Sequence, residues 1–267
     1  VIDEDGNTAK NITNENFQSF EGGLNFRSGN LAIKTNYYMT DWKDRNLTKA
    51  VTTGQGSSGD TEIVYLTGVN QNHSGLELEA SMQVIDMLRV DAAVGLGTWK
   101  FVSDANGTLK DEGNNVLGEY KYALDGLFVG DSPQTSMALG LTLTPLSGLN
   151  IQMISHYFDK NYSDWSPTSR AVQDWGADGV EADDDDPAPD AGEGDDLIDD
   201  AEWARRDIQQ VWMAPSYSKI NLHVNYDLPI DFAGTKISAF CHVFNLLDAV
   251  YVQDATDHSE YNSWNVP

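Results

Sequence analysis

The sequence predicts an all-β chain, about eight long antiparallel strands forming one wall of a larger transmembrane β-barrel. Three observations lead there. Apolar and polar residues alternate with period two over long stretches, so each stretch has one face that seeks an apolar medium and one that seeks water. The spacers between these stretches alternate strictly, short then long. No run approaches the ~18 uninterrupted apolar residues that a spanning helix requires, whereas a spanning strand needs only ~9–11 residues, half of them apolar.

The first stretch, 18–27, sets Phe20, Leu24 and Phe26 against Glu21, Asn25 and Arg27. A tight turn at Ser28-Gly29-Asn30 leads to 31–42, where Leu31, Ile33, Tyr37 and Met39 oppose Lys34, Asn36 and Thr40. A polar, Gly/Ser-rich loop is expected over 43–60, then a long strand over 62–84. The second half of that strand alternates most cleanly, with Leu76, Leu78, Ala80, Met82 and Val84 against Glu77, Glu79, Ser81 and Gln83. After a turn near Asp86, residues 88–101 place Leu88, Val90, Ala92, Val94 and Leu96 opposite Arg89, Asp91, Ala93, Gly95 and Gly97. A long loop follows over 103–132, with some local structure expected around 119–128.

Residues 134–144 present Met137, Leu139, Leu141 and Leu143 on one face, and a turn at 145–148 leads to 149–159. There Ile154 and Phe158 fall on the nominally polar side. The longest insertion, 161–214, is expected to be an acidic external loop. The last pair of strands lies within 215–252: Ile220, Leu222, Val224 and Tyr226 oppose Asn221, His223, Asn225 and Asp227, and the tight turn falls at 228–234.

Consecutive turns of an antiparallel meander lie at opposite ends of the sheet. All short turns therefore share one end and all long loops the other, the asymmetry of outer-membrane barrels. Soluble sandwiches use strands of about 5–6 residues, shorter than the stretches seen here. Trp42, Trp99, Tyr157, Tyr162 and Trp165 fall where strands meet long loops, and Tyr226 near a tight turn, as interfacial aromatic belts would. Aromatic residues are favoured in any strand, which is the plainer explanation.

Composition excludes several classes. The chain has 267 residues and a formal net charge of −26, which argues against nucleic-acid binding. The segment 178–202 alone holds 13 Asp or Glu and no Lys or Arg. The single cysteine, Cys241, can form no internal disulfide and reads as a small strand hydrophobe rather than a catalytic thiol. No nucleophile triad, nucleotide loop or CxxC pattern stands out, so no enzymatic activity is expected. No charged-then-apolar leader precedes the first strand, so a removed signal peptide or an incomplete chain is expected.

Several phrases resemble the C-terminal part of TonB-dependent outer-membrane receptors. They are NENFQSFEGGLNFRSGNLAIKTNYYMTDWKDRN (14–46), GLELEASMQV (75–84), VGDSPQTSMALGLTLTPLSGLNIQMISHYFDKNYSDWSP (129–167), PSYSKINLHVNYDL (215–228) and HVFNLLDAVYVQDATD (242–257). The resemblance implies a single barrel domain over 1–267, part of a 22-stranded barrel whose lumen holds a plug. The plug domain and the closing strand are not expected within this chain. It further implies a receptor in the outer membrane of a Gram-negative bacterium. Such a receptor imports a scarce small-molecule or oligosaccharide ligand, such as a siderophore, vitamin or haem, with energy passed from TonB–ExbB–ExbD through the missing N-terminal region. The implied surroundings are outer-membrane lipid. A passive porin is the rival within transport, and a secreted β-sandwich binding module the rival outside it. The sandwich predicts that Leu76, Leu78, Met82, Leu139, Leu141, Leu222 and Val224 pack against a second sheet.

The candidate ligand-binding residues are the ionisable groups expected to face the lumen: Glu77, Glu79, Arg89 and Asp91, with Lys34 beside them. Hydrating the inner wall or pairing with a plug is the simpler account of them. The 43–60, 103–132 and 161–214 loops are expected to help capture ligand. Asp183, Asp184, Asp185 and Asp186 could hold Ca2+ as a cofactor, since oxygen ligands suit that ion. Their spacing matches no calcium-loop pattern, and a solvated, self-repelling loop is the simpler account. The five histidines (73, 156, 223, 242 and 258) show no metal-ligand spacing, and hydrogen-bonded polar-face histidines are expected. Five N-x-[ST] triplets, starting at 11, 46, 72, 106 and 161, would alone suggest a glycosylated secreted protein, but such triplets arise often in Asn-rich loops.

Overall fold

A computed structural model describes residues 14–53, 60–111, 113, 115–172, 200–232, 234–257 and 263–265. Eight long strands run through it: β1 (Asn16–Ser28), β2 (Leu31–Thr53), β3 (Asp60–Ile85), β4 (Leu88–Phe101), β7 (Thr135–Leu146), β8 (Leu149–Asp159), β11 (Tyr217–Phe232) and β12 (Thr235–Val243). The intervening short elements are β5 (Ala105–Lys110), β6 (Val116–Tyr122), β9 (Asp164–Trp165), α1 (Pro167–Arg170), β10 (Ala171–Val172) and α2 (Asp200–Ala204). Two more, β13 (Asp254–Asp257) and β14 (Ser263–Asn265), follow β12. Among the described residues no helix is long and apolar enough to cross a membrane.

The long strands form one antiparallel meander, β1-β2-β3-β4-β7-β8-β11-β12, which does not close on itself. Register carries the alternation of each strand across its neighbours. At one level, Phe26, Ile33, Ala80, Ala92, Leu139, Ser155 and Ile220 are successive partners from β1 to β11. One residue away, Asn25, Lys34, Glu79, Ala93, Ala138, His156 and Lys219 form the row on the opposite face. The polar face is the concave one, where Lys34, Glu79, Ser81, Arg89, Asp91 and Gln152 line an open hollow of about 750 Å³.

The convex face is apolar and bare. Leu24 is 74% exposed and Phe20 62%, and Leu76, Leu78, Met82, Met137 and Leu139 are exposed as well. A soluble monomer rarely shows more than a few hundred Å² of contiguous apolar surface, so this face calls for a lipid medium. Among the described residues no second sheet covers these side chains, contrary to the sandwich alternative.

The tight turns lie where the short spacers predict them. The sharpest requirement falls on Gly148, between β7 and β8. Its φ is +85°, and a Cβ there would sit 2.5 Å from the carbonyl oxygen of Asp227. The Asp227 amide in turn donates to the Gly148 carbonyl at 2.9 Å, so β11 seats directly on this turn.

The long-loop end is more ordered than the sequence predicts. The 43–60 loop is corrected: β2 and β3 stay paired from Leu47–Leu66 to Thr53–Asp60, far above the level at which β3 leaves β4. This upper half of β3 pairs with β5, and β5 with β6, so most of the 103–132 loop is a folded hairpin. The reason is visible in Val64 and Leu66, which alternate inward on β3, and Val69, beyond the positive-φ Gly68; they meet Phe101, Tyr122, Leu124, Leu127, Trp165 and Val211 in a buried cluster. The conventional core of this chain thus lies beyond the wall, where its loops meet water. Each fully buried large apolar side chain there contributes about 1.5–3 kcal/mol.

Candidate functional site

The inner wall offers two distinct regions. The lower one contains the ionisable residues expected from the sequence, and most are already satisfied by one another. Lys34 Nζ lies 3.5 Å from Glu79 Oε2, between directly paired positions of β2 and β3. Arg89 Nη2 donates to Asp91 Oδ1 at 2.7 Å, and Arg89 Nε donates to Ser81 Oγ at 3.1 Å. Exposed pairs of this kind contribute about 0–1 kcal/mol, and a ligand could replace either partner without a large penalty. Glu77 stands apart. Its neighbour is the Asn36 amide, 3.4 Å away, and among the described residues no lysine or arginine pairs with it.

The upper region is aromatic, and composition alone gave no sign of it. Phe17, Tyr38, Trp42, His73 and Trp99 share the inner face of β1 to β4 and surround a hollow of about 470 Å³, with Glu21, Asn36, Thr40 and Glu77 among them. Each ring is held by its neighbours. Gly75, opposite Tyr38 on β3, leaves the space that the Tyr38 ring fills; a Cβ there would lie 2.5 Å from the phenol oxygen. Tyr38 Oη accepts from Trp99 Nε1 at 2.9 Å, and His73 stacks on Trp99 with centroids 5.5 Å apart. Trp42 meets Phe17 edge-on at 5.9 Å, carries the Arg45 guanidinium 3.6 Å above its ring, and donates from Nε1 to Glu15 Oε2 at 2.9 Å. Buried Gln134 fixes the end of β4: its Oε1 accepts from the Trp99 amide at 2.9 Å, and its Nε2 donates to the carbonyls of Trp99 and Val129. A hollow of this size, with flat rings on its walls and two carboxylates within reach, suits a small organic ligand that has an apolar face and hydrogen-bond donors.

The aromatic-belt expectation is accordingly corrected. Trp42 and Trp99 turn inward, while Tyr162 and Trp165 belong to the loop core. Tyr157 and Tyr226 keep the outward parity, as partners of Met137 and Leu149. Position near a strand end does not decide sidedness; parity does. The histidine expectation holds in part and is also revised. His223 is hydrogen-bonded, but its partner is His242, on the adjacent strand. Asp183, Asp184, Asp185 and Asp186 lie outside the described residues, as does the rest of 173–199.

Above the hollow, three carboxylates and one lysine meet. Lys49 pairs with Asp164, donates to the Trp165 carbonyl at 3.2 Å and lies over the Trp165 ring. Crowding by the protein, then the nearby Asp164 and Asp254 carboxylates, push Asp131 up to about 7, with Lys49 acting in opposition. A carboxyl raised above its unfolded value binds a proton in the folded state that the unfolded chain has released. The stability it supports is present below the ordinary carboxylate range and is lost as pH rises through about 7. Limited proteolysis should therefore find the long-loop end better protected at about pH 5.5 than at about pH 8. Asp131→Asn should flatten that difference, and an unchanged pH response in the variant would refute the assignment. Asp131 lies at the surface, so solvent damps the effect.

A family model described as "TonB dependent receptor-like, beta-barrel" matches residues 4–246. The chain belongs to the TonB-dependent receptor β-barrel family. This family comprises receptors and transporters of the Gram-negative outer membrane rather than enzymes. Among solved structures, the chain is similar to one titled "Copper transporter OprC", at 15% identity and a TM-score of 0.55. The match covers 97% of this chain and 30% of that one, so the chain spans under a third of that receptor. It is also similar to the ferric-catecholate import receptor Fiu from E. coli K12 in its open form, at 12% identity and a TM-score of 0.30, covering 95% of this chain and 40% of that one. The likeness to the first of these concerns the barrel fold alone. No curated protein matches. The apolar face of this TonB-dependent receptor wall is therefore its lipid face, and the hollow with its paired charges lies on the lumenal side.

Proposed function

We propose that this chain is part of an outer-membrane receptor that captures a scarce organic ligand or chelate on its lumenal wall and imports it with energy transmitted by TonB–ExbB–ExbD. The aromatic hollow carries the reading: Tyr38, Trp42 and Trp99 offer flat faces, and Glu21 and Glu77 offer acceptors for hydroxyl or cationic groups. A wall that only enclosed water would gain nothing from burying rings against one another on its wet side. Glu77 is the member of the ionisable set best placed to touch ligand. Glu79, Arg89 and Asp91 shape the field below it. The long-loop end, with 161–172 and 200–214 among its described parts, faces outward above the hollow, and a plug occupying the lumen would complete the site.

The test uses the purified receptor with a panel of siderophores, corrinoids, haem and oligosaccharides. Binding of the correct ligand should change the fluorescence of Trp42 and Trp99. Trp99→Ala or Glu77→Gln should weaken binding by about 10-fold or more, a loss of at least about 1.4 kcal/mol. Cells should take the ligand up, and collapsing the proton gradient should stop uptake while leaving binding intact. Uptake that persists without the gradient would favour the passive porin.

A further inference from the structure

The hairpin of β11 and β12 brings together two histidines that lie 19 residues apart in the chain. His223 and His242 are direct register partners on the lumenal face, and their Nδ1 atoms lie 2.9 Å apart. The rings are tilted by 58°, with centroids 5.0 Å apart. Phe244 meets His223 edge-on at 5.5 Å, and Phe240 stacks beside His242 at 5.4 Å, so aromatic side chains flank the pair along the strand. Cys241 has the opposite parity, as the partner of Val224, and takes no part.

From this geometry we propose that His223 and His242 form a two-nitrogen site for a divalent transition-metal ion of tetragonal preference, Cu2+ or Ni2+. Imidazole nitrogens bind such ions at about 2.0–2.1 Å, and Cu2+ and Ni2+ stand high among divalent first-row ions in affinity for imidazole donors. The two Nδ1 atoms, 2.9 Å apart as hydrogen-bond partners, are close enough for both to reach one ion. Paired strands fix both Cβ atoms, so the bite is preformed and a small turn of each ring brings the two lone pairs onto one ion. The ring that donates the Nδ1 hydrogen moves its proton to Nε2, with no net change of charge. Among the described residues no third histidine, cysteine or carboxylate completes the set. With two donors from the hairpin, further positions on the ion can be taken by water or by the donor atoms of a ligand, so the site can capture a partly chelated metal as well as the bare ion. The proposal rests on the hairpin alone and stands or falls independently of the transport reading.

The test is Cu2+ titration of the purified, detergent-solubilised protein, followed by electron paramagnetic resonance. One Cu2+ should bind with hyperfine structure from two imidazole nitrogens, and Ni2+ should compete for it. His223→Gln or His242→Gln should each lower affinity by about 100-fold, because the second donor of a preformed pair acts at high effective concentration. The spectrum of either variant should fall to a single nitrogen. His156→Gln, on the same face of β8, should change nothing, which separates the pair from general histidine binding. A two-nitrogen spectrum that survives His242→Gln, or no Cu2+ bound by the folded wild-type protein, would overturn the proposal.

Discussion

Replacing Leu139 by arginine is expected to destabilise the folded barrel by about 2–4 kcal/mol, the penalty for a cation on the lipid face near the membrane midplane. Leu139 lies in the convex row with Phe26, Ile33, Ala80, Ala92 and Ile220, and is 49% exposed toward the side that must contact lipid. Its neighbour Ala138 has the opposite parity and lines the lumenal hollow among Ala93, Glu79 and Asp91. Ala138→Arg should therefore be nearly neutral, since the new guanidinium enters water beside two carboxylates. The pair is measured by urea titration of the barrel in lipid vesicles. Equal losses for the two variants would remove the assignment of faces, and a larger loss for Ala138→Arg would invert it.

The wall was legible in the sequence because its information is local. Period-two alternation at Leu76–Val84 or Met137–Leu143 states which side chains share a face, and the short and long spacers state how strands follow one another. Register then adds little that the alternation did not imply: Leu139 faces outward because Ala92 and Ser155 do. The loops were not legible, because their order comes from contacts distant in sequence. Nothing within 43–60 announces that Lys49 will close on Asp164, and nothing within 103–132 announces that Tyr122 will meet Trp165. The Gly/Ser-rich stretch 54–59 has the composition of a loop, although Val64 and Leu66 on its flank alternate as a buried strand does.

Of the candidate site, parity alone puts Glu77, Glu79, Arg89 and Asp91 on one face, but their partners could not be foreseen. The aromatic hollow could have been. Tyr38 and Trp42 share the parity of Lys34 and Asn36, and Trp99 shares that of Arg89 and Asp91, so three large rings on a wet face were visible in the sequence. His223 and His242 lie on different strands, and no spacing along the chain links them. Yet a hairpin with its turn at 228–234 folds those strands back on each other, and only the register, shifted between Asp227 and Asp231, decides that His223 meets His242.

The long-loop end should depend most heavily on Arg170. Its side chain is 1% exposed and ties together three segments far apart in sequence. Nη1 donates to the carbonyls of Asp207 and Gln209 at 3.1 and 2.7 Å, and the guanidinium lies 3.3 Å from the carboxylates of both Asp207 and Asp257. Removing it takes the donor from two carbonyls, while the Asp207 and Asp257 carboxylates, 40% and 20% exposed, regain water, so the loss is about 1–3 kcal/mol. Arg170→Ala is expected to release that much from the folded loops. Arg170→Lys should recover little, because a single ammonium cannot reach two carbonyls and two carboxylates from one planar fork. The loss should be local, since the wall strands hold one another by ladder hydrogen bonds and lipid contact. Hydrogen exchange should show lost protection over 161–172, 207–214 and 254–257, while β4, β7 and β8 keep theirs. Unchanged exchange in those three segments would show that Arg170 is incidental to the loop core. Exchange rising through the wall as well would show that loops and barrel unfold as one unit. With the loss confined to the loops, Arg170→Ala provides a receptor whose wall is intact and whose entrance is not, and ligand binding by that variant separates the contribution of the lumenal hollow from that of the loops above it.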